Sequence, residues 1–231
     1  MSGPLFKETT MAEENQKPAM HFAEDEHTEK ILDWWKKNGT AIIVGLVIGV
    51  GSVGGYQGWN IYQDRQGEAA SDLYQNMLRS LATETLVIAR ENANQVVTNY
   101  GATAYADGAY LVLAKLEFEA GELDQADEHL TRVMNKSKDL AMQHVARLRR
   151  ITIALHRDDL DLVDDLLKVD EKIGFEARYY ELRGDASVAR KDVDSAREAY
   201  TSALELAVTG SVSAQILERK LNSVSVLDGL R

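Results

Sequence analysis

The run from Ala41 to Trp59, AIIVGLVIGVGSVGGYQGW, carries no charged residue, and the uncharged interval around it extends from Asn38 to Gln63. A helix that crosses the hydrocarbon core of a bilayer needs about 20 predominantly apolar residues. This run meets that requirement and no other segment of the chain approaches it. The chain therefore divides into a head (1–38), a transmembrane helix (39–63) and a long body (64–231). A cleaved signal peptide would open with basic residues and carry a shorter apolar run before small residues at a cleavage site. Here the run is longer, lies deep in the sequence and follows an acidic head. It continues through Tyr56, Trp59 and Tyr62, aromatic residues suited to the far membrane interface. A single uncleaved span is expected.

The head is polar. MSGPLFKETT reads as an extension ahead of Met11, which is an equally good initiator, and residues 12–29 are acidic enough to be disordered when alone. Ile31, Leu32, Trp34 and Trp35 then recur at helical spacing just before Lys36 and Lys37. That pattern suits an interfacial helix, with indoles at headgroup depth and lysines reaching to water; a docking helix for a partner is the alternative. Lys30, Lys36 and Lys37 precede the span, whereas only Arg65 closely follows it. The positive-inside bias is small but puts the head in the cytoplasm, and in a bacterium the body in the periplasm.

Glycine is frequent in the span. Three pairs fit G-x-x-x-G: Gly45/Gly49, Gly51/Gly55 and Gly54/Gly58. Small residues let helix backbones approach closely in lipid, where no hydrophobic force drives association. These six glycines are the candidate membrane helix-packing positions.

The body has a different character. Both prolines of the chain, Pro4 and Pro18, lie in the head, and the body is rich in Ala, Leu, Glu and Asp without strand-like alternation, so it reads as all-α. Its charge is −8 of the chain's −11. A nucleic-acid binder would select a basic face, so no nucleic-acid partner is expected. The chain has no cysteine, which excludes disulfides and thiolate chemistry and is compatible with an oxidising compartment.

Internal similarity then emerges. The stretch 113–134 reads as helix, turn at Gly121–Leu123, helix. The stretch 181–206 has the same shape with its turn at Lys191–Val193, and 147–169 turns at Arg157–Asp159. Laid on one another, Ala126, Val163 and Ala196 correspond, 37 and 33 residues apart, close to the tetratricopeptide period of about 34. Ala114 and Gly184 are the small residues of the first helix. Leu130, Leu167 and Tyr200 are the large residues of the second, with Val133 and Ala203 one turn on. A weaker unit fits at 68–99, with Ala89 in the corresponding place. No unit has the early Trp or final Pro of the full tetratricopeptide pattern. Stacked pairs of this kind bury their open apolar faces against each other, and 217–227 is expected to cap the last one. The helix beginning near Gln66 is expected to continue directly from the span. The fold class is thus all-α: a single N-terminal transmembrane helix followed by a tetratricopeptide-like solenoid.

Chemistry is sparse. His129, His144 and His156 show no helical metal spacing and no HExxH; each reads as a surface or core histidine. Asp158, Asp159, Asp161, Asp164 and Asp165 lack the Gly and Glu of a calcium loop, and Asp158/Asp159 more plausibly cap the following helix. Arg147, Arg149 and Arg150 suit either an acidic partner or a solvated edge paired with nearby carboxylates. With no nucleotide loop, no nucleophile elbow and no paired carboxylates, no catalytic, cofactor-binding or metal residues are expected, and the chain does not read as an enzyme.

The layout resembles a known family. WWKKNGTAIIVGLVIGVG (34–51), NYGATAYADGAYLVLAKLEFEAGELDQADEHL (99–130), ELRGDASVARKDVDSAREAY (181–200) and KLNSVSVL (220–227) together are similar to the YfgM-type ancillary subunits of the SecYEG translocon. The resemblance covers about Glu29 to Leu227. It implies a non-enzymatic inner-membrane protein with a periplasmic tetratricopeptide-like domain. The implied partners are SecYEG, a PpiD-type periplasmic chaperone and unfolded exported proteins. It also implies negative control of an envelope stress response by the cytoplasmic tail. Tetratricopeptide geometry places a peptide-binding face on the first helices of the repeats: Leu111, Lys115, Phe118, Leu148, Thr152, Leu155, Arg178, Glu181, Asp185 and Val188. The rival reading is a signalling or assembly scaffold whose body faces the cytoplasm.

Overall fold

The computed structural model describes residues 21–172, 174–208 and 210–228. Among these, nine helices and no strand are found: α1 (His21–Ala82), α2 (Leu86–Asn99), α3 (Ala104–Ala120), α4 (Leu123–Lys136), α5 (Leu140–His156), α6 (Leu160–Leu167), α7 (Glu176–Ala189), α8 (Val193–Leu206) and α9 (Val212–Asp228). The chain forms two compact units, Met1–Ile61 and Tyr62–Arg231, and α1 supplies residues to both. Of residues 12–29, expected to be disordered when alone, 12–20 lie outside the described residues, whereas 21–29 are helical and belong to α1.

In the first unit, α1 is the one helix among the described residues long and apolar enough to cross a membrane. Ile43, Val44, Leu46, Val47, Ile48 and Val50 are exposed, as a lipid-facing helix requires. Two polar side chains bond back onto the helix. Ser52 Oγ donates to the Ile48 carbonyl at 2.7 Å and Asn38 Nδ2 to that of Trp34 at 3.0 Å. An unbonded polar group in hydrocarbon would cost several kcal/mol (about 2–7).

In the second unit, α3 pairs with α4, α5 with α6 and α7 with α8, and each pair packs on the next. The core is correspondingly divided into successive clusters. Met77, Val96 and Leu113 fill the first; Leu130, Val133 and Ile153 the second; Ile151, Val163, Leu166 and Leu182 the third; Tyr200, Leu217 and Val224 the last. Each fully buried side chain of this size is worth about 1.5–3 kcal/mol. The repeat register read from the sequence holds here: Ala89, Ala126, Val163 and Ala196 are each 0% exposed. Helix α9 covers the open face of α8 with Leu217 and Val224, as expected of a cap, and begins earlier than expected, at Val212.

The turn inside each pair repeats with atomic regularity. Glu84, Gly121, Asp158 and Lys191 all have positive φ (55°, 83°, 57° and 61°), at spacings of 37, 37 and 33 residues. Each donates its N–H to the carbonyl three residues back, and the next residue donates five back: Gly121 to Phe118 and Glu122 to Glu117, Asp158 to Leu155 and Asp159 to Ala154, Lys191 to Val188 and Asp192 to Ser187. This is the Schellman arrangement, in which a left-handed residue satisfies the last helical carbonyls. It corrects the capping assignment. Asp159 caps α6 through Leu162 N, while Asp158 occupies the left-handed position.

Candidate functional site

Helices α3, α5 and α7 bring three adjoining hollows together. One of about 360 Å³ is lined by Lys115, Phe118, Arg149, Thr152 and Arg178 among others. A second of about 400 Å³ adds Leu155, His156, Asp185 and Val188. A third of about 280 Å³ adds Val145, Leu148 and Phe175. Thr152 and Arg178 line all three, so the hollows form one trough along the first helices of successive pairs.

Of the ten residues placed on this face by repeat geometry, the structure brings eight to the trough: Lys115, Phe118, Leu148, Thr152, Leu155, Arg178, Asp185 and Val188. Leu111 and Glu181 do not line it. They share a repeat register with Leu148, and all three are buried, at 8%, 7% and 8% exposure for Leu111, Leu148 and Glu181. Leu111 belongs to the α3–α4–α5 core. Glu181 sits in an ionic network: Arg178 approaches it at 2.6 Å and Lys220 of α9 at 2.8 Å. Lys220 also contacts Asp185 at 2.6 Å, which accepts from the Tyr200 hydroxyl at 2.7 Å. Burial alone would raise the pKa of Glu181, but the bonds from Arg178 and Lys220 outweigh it and hold the carboxyl below its ordinary value. Burial and the bond to Asp185 both raise the Tyr200 hydroxyl.

The sequence reading missed Arg149 and Phe175 as trough residues. The arginine run in α5 separates into distinct roles. Arg150 makes a two-pronged pair with Asp127 of α4, at 2.7 and 3.0 Å. Arg149 donates to the Leu111 carbonyl at 3.0 Å and lines the trough. The signal for Arg149 was its position three residues before Thr152, on the same side of α5.

The histidines have packing roles. His144 is buried, and its Nδ1 lies 2.9 Å from the Tyr179 hydroxyl. Burial lowers its pKa and raises that of Tyr179 to about 12. His156 meets the edge of Phe118 at the trough. The aspartate cluster disperses into separate contacts: Asp164 with Arg190 at 2.8 Å and Asp165 with Lys168 at 2.9 Å. Among the described residues no group of three potential ligands gathers where a metal ion would sit. The arrangement offers apolar contact and charge pairing along an open trough, with no nucleophile–base constellation. In the first unit a Cβ added at Gly45, Gly49, Gly51, Gly54, Gly55 or Gly58 would meet nothing within 4 Å.

A family model described as a tetratricopeptide repeat-like domain matches residues 32–226. The ancillary SecYEG translocon subunit of Haemophilus influenzae is 29% identical over 207 residues, covering 89% of this chain and 100% of the relative. The protein of the same name from Escherichia coli K12 is 28% identical, covering 88% and 97%, and that from Neisseria gonorrhoeae 26% identical, covering 89% and 99%. No solved structure matches the chain. The resemblance to ancillary translocon subunits read from the sequence is thus borne out. Matched by the family model over well more than half its length, the chain belongs to the tetratricopeptide repeat-like domain family.

Proposed function

We propose that the chain is an inner-membrane ancillary subunit of the SecYEG translocon that holds segments of newly exported proteins in the α3–α5–α7 trough. Residues 1–38 then lie in the cytoplasm, 39–63 span the membrane and 64–231 face the periplasm. The observation that carries this reading is the trough itself, an open apolar and charged channel built from equivalent positions of successive repeats. Stacked helical repeats characteristically expose such extended binding surfaces. The names of the relatives supply the assembly, and the charge-free helix supplies the tether. Passage of clients to a PpiD-type chaperone and stress control by the head complete the proposal, with the six span glycines as the lateral packing face.

Two measurements test it. An export-dependent reporter fused after Arg231 should be active; an inactive reporter beside an active cytoplasmic one would favour the cytoplasm-facing scaffold instead. The full chain, solubilised in mild detergent, should co-purify with SecYEG, and loss of that association with an intact anchor would remove the assembly from the account.

A further inference from the structure

We infer that the trough selects extended segments in which acidic side chains stand beside apolar ones, with Arg149 as the group that reads the carboxylate. This rests on the peptide-holding reading above and names its substrate class. The chain carries a net charge of −11, yet the 360 Å³ hollow is lined by Lys115, Arg149 and Arg178 and by no carboxylate.

Two of these cations are answered within the chain. Lys115 faces Glu119 at 3.6 Å, and Arg178 faces Glu181 at 2.6 Å. Arg149 has no carboxylate partner among the described residues; its bond is to the Leu111 carbonyl at 3.0 Å. A guanidinium has five N–H donors, so that single bond positions the group and leaves most of its donors for a ligand. Arg149 stays exposed where it lines the trough, so those donors are open to an incoming group. A carboxylate delivered along the trough would meet them, and a guanidinium fits it in two-pronged fashion. Beside it, Phe118 and Val188 remain 38% and 39% exposed, apolar surface that covers a neighbouring aliphatic or aromatic side chain. A basic segment would instead bring like charge against Arg149.

The test uses the full chain in lipid nanodiscs and fluorescence anisotropy. The probes are labelled peptides with the same leucines, carrying Glu, Gln or Lys between them. The Glu peptide should bind about tenfold tighter than the Gln peptide and the Lys peptide most weakly, with the spread narrowing as salt rises. Arg149→Gln should bring the Glu peptide to the level of the Gln peptide. Arg149→Lys should restore part of the preference, and Lys136→Gln, outside the trough, should alter nothing. The peptide series on the unaltered chain tests selectivity even if a variant misfolds. Equal binding of all three peptides overturns the selectivity and leaves peptide holding intact. Binding of none overturns peptide holding itself. A preference that survives Arg149→Gln removes Arg149 from the role, and self-association abolished by Arg149→Gln without any peptide preference assigns the trough to a second copy instead.

Discussion

Adding one methyl group at Gly184 should loosen the joint between α7 and α8. A Cβ there would lie 2.4 Å from Tyr200 Cε1 and 2.5 Å from its Cδ1, well inside van der Waals contact. The ring has little room to retreat. It is 3% exposed, its hydroxyl donates to Asp185 at 2.7 Å, and Asp185 is held by Lys220 at 2.6 and 2.7 Å. Helix propensity alone favours alanine over glycine by about 1 kcal/mol, whereas overpacking a close contact costs about 1–3 kcal/mol. With the ring anchored at both ends the upper part of that range applies, giving a net loss of about 2 kcal/mol. For a body of this size that is a drop in Tm of about 4–8 °C. Thermal and urea unfolding followed by circular dichroism measure it. Tyr200→Leu removes the ring, so Gly184→Ala should be harmless in that background, and the double variant should lose less than the sum of the singles. A higher Tm for Gly184→Ala, or strict additivity with Tyr200→Leu, would refute the packing argument.

The remaining predictions follow from turns, a buried pair and histidines. Lys191→Gly should stabilise by about 0.5–1 kcal/mol, because its left-handed backbone suits glycine, whereas Gly121→Ala should destabilise by about 1 kcal/mol; urea midpoints separate the two signs. Arg150→Ala should cost about 2 kcal/mol, since the Arg150 and Asp127 side chains are only 12% and 22% exposed and the loss strands a half-buried carboxylate. A double-mutant cycle with Asp127→Ala should return a coupling of about 1–2 kcal/mol. Burial holds the folded-state pKa values of His144 and His129 below the ordinary value of 6.5. The unfolded chain therefore binds more protons between the two values, and stability present above about pH 6.5 should fall as pH drops below it. His144→Gln should flatten that decline in a pH series of melting curves.

Much of the fold is legible in the sequence because repeat packing is a local rule. The small residues Ala114 and Gly184 of the first helices, set against Leu130 and Tyr200 of the second, mark where helices touch, and all four are buried. The left-handed turn residues were harder to see. Gly121 announces itself, but Glu84, Asp158 and Lys191 occupy the same geometry without glycine, so spacing and not residue type carries the signal. The trough was legible in part. The register 115/152/185 and the register 118/155/188 both reach it, whereas 111/148/181 lies beneath it and only Leu148 of that set touches a hollow. Periodicity gives the face of α3 or α7 but not how far the neighbouring helix covers that face, and this coverage is what buries Leu111 and Glu181. The same ambiguity hid Arg149. In a run of arginines, only the crossing of α5 against α3, α4 and α7 decides which guanidinium meets a carboxylate and which meets a carbonyl.

The central claim is that exported segments occupy the trough while the chain stands in the membrane. A photo-crosslinking side chain at Thr152, which lines all three hollows, tests it in inner membranes carrying a secretory protein arrested during export. The account predicts a crosslink to the arrested client from Thr152 and none from exposed Gln125 on α4. Client crosslinks of equal yield at both positions, or at neither, would contradict it.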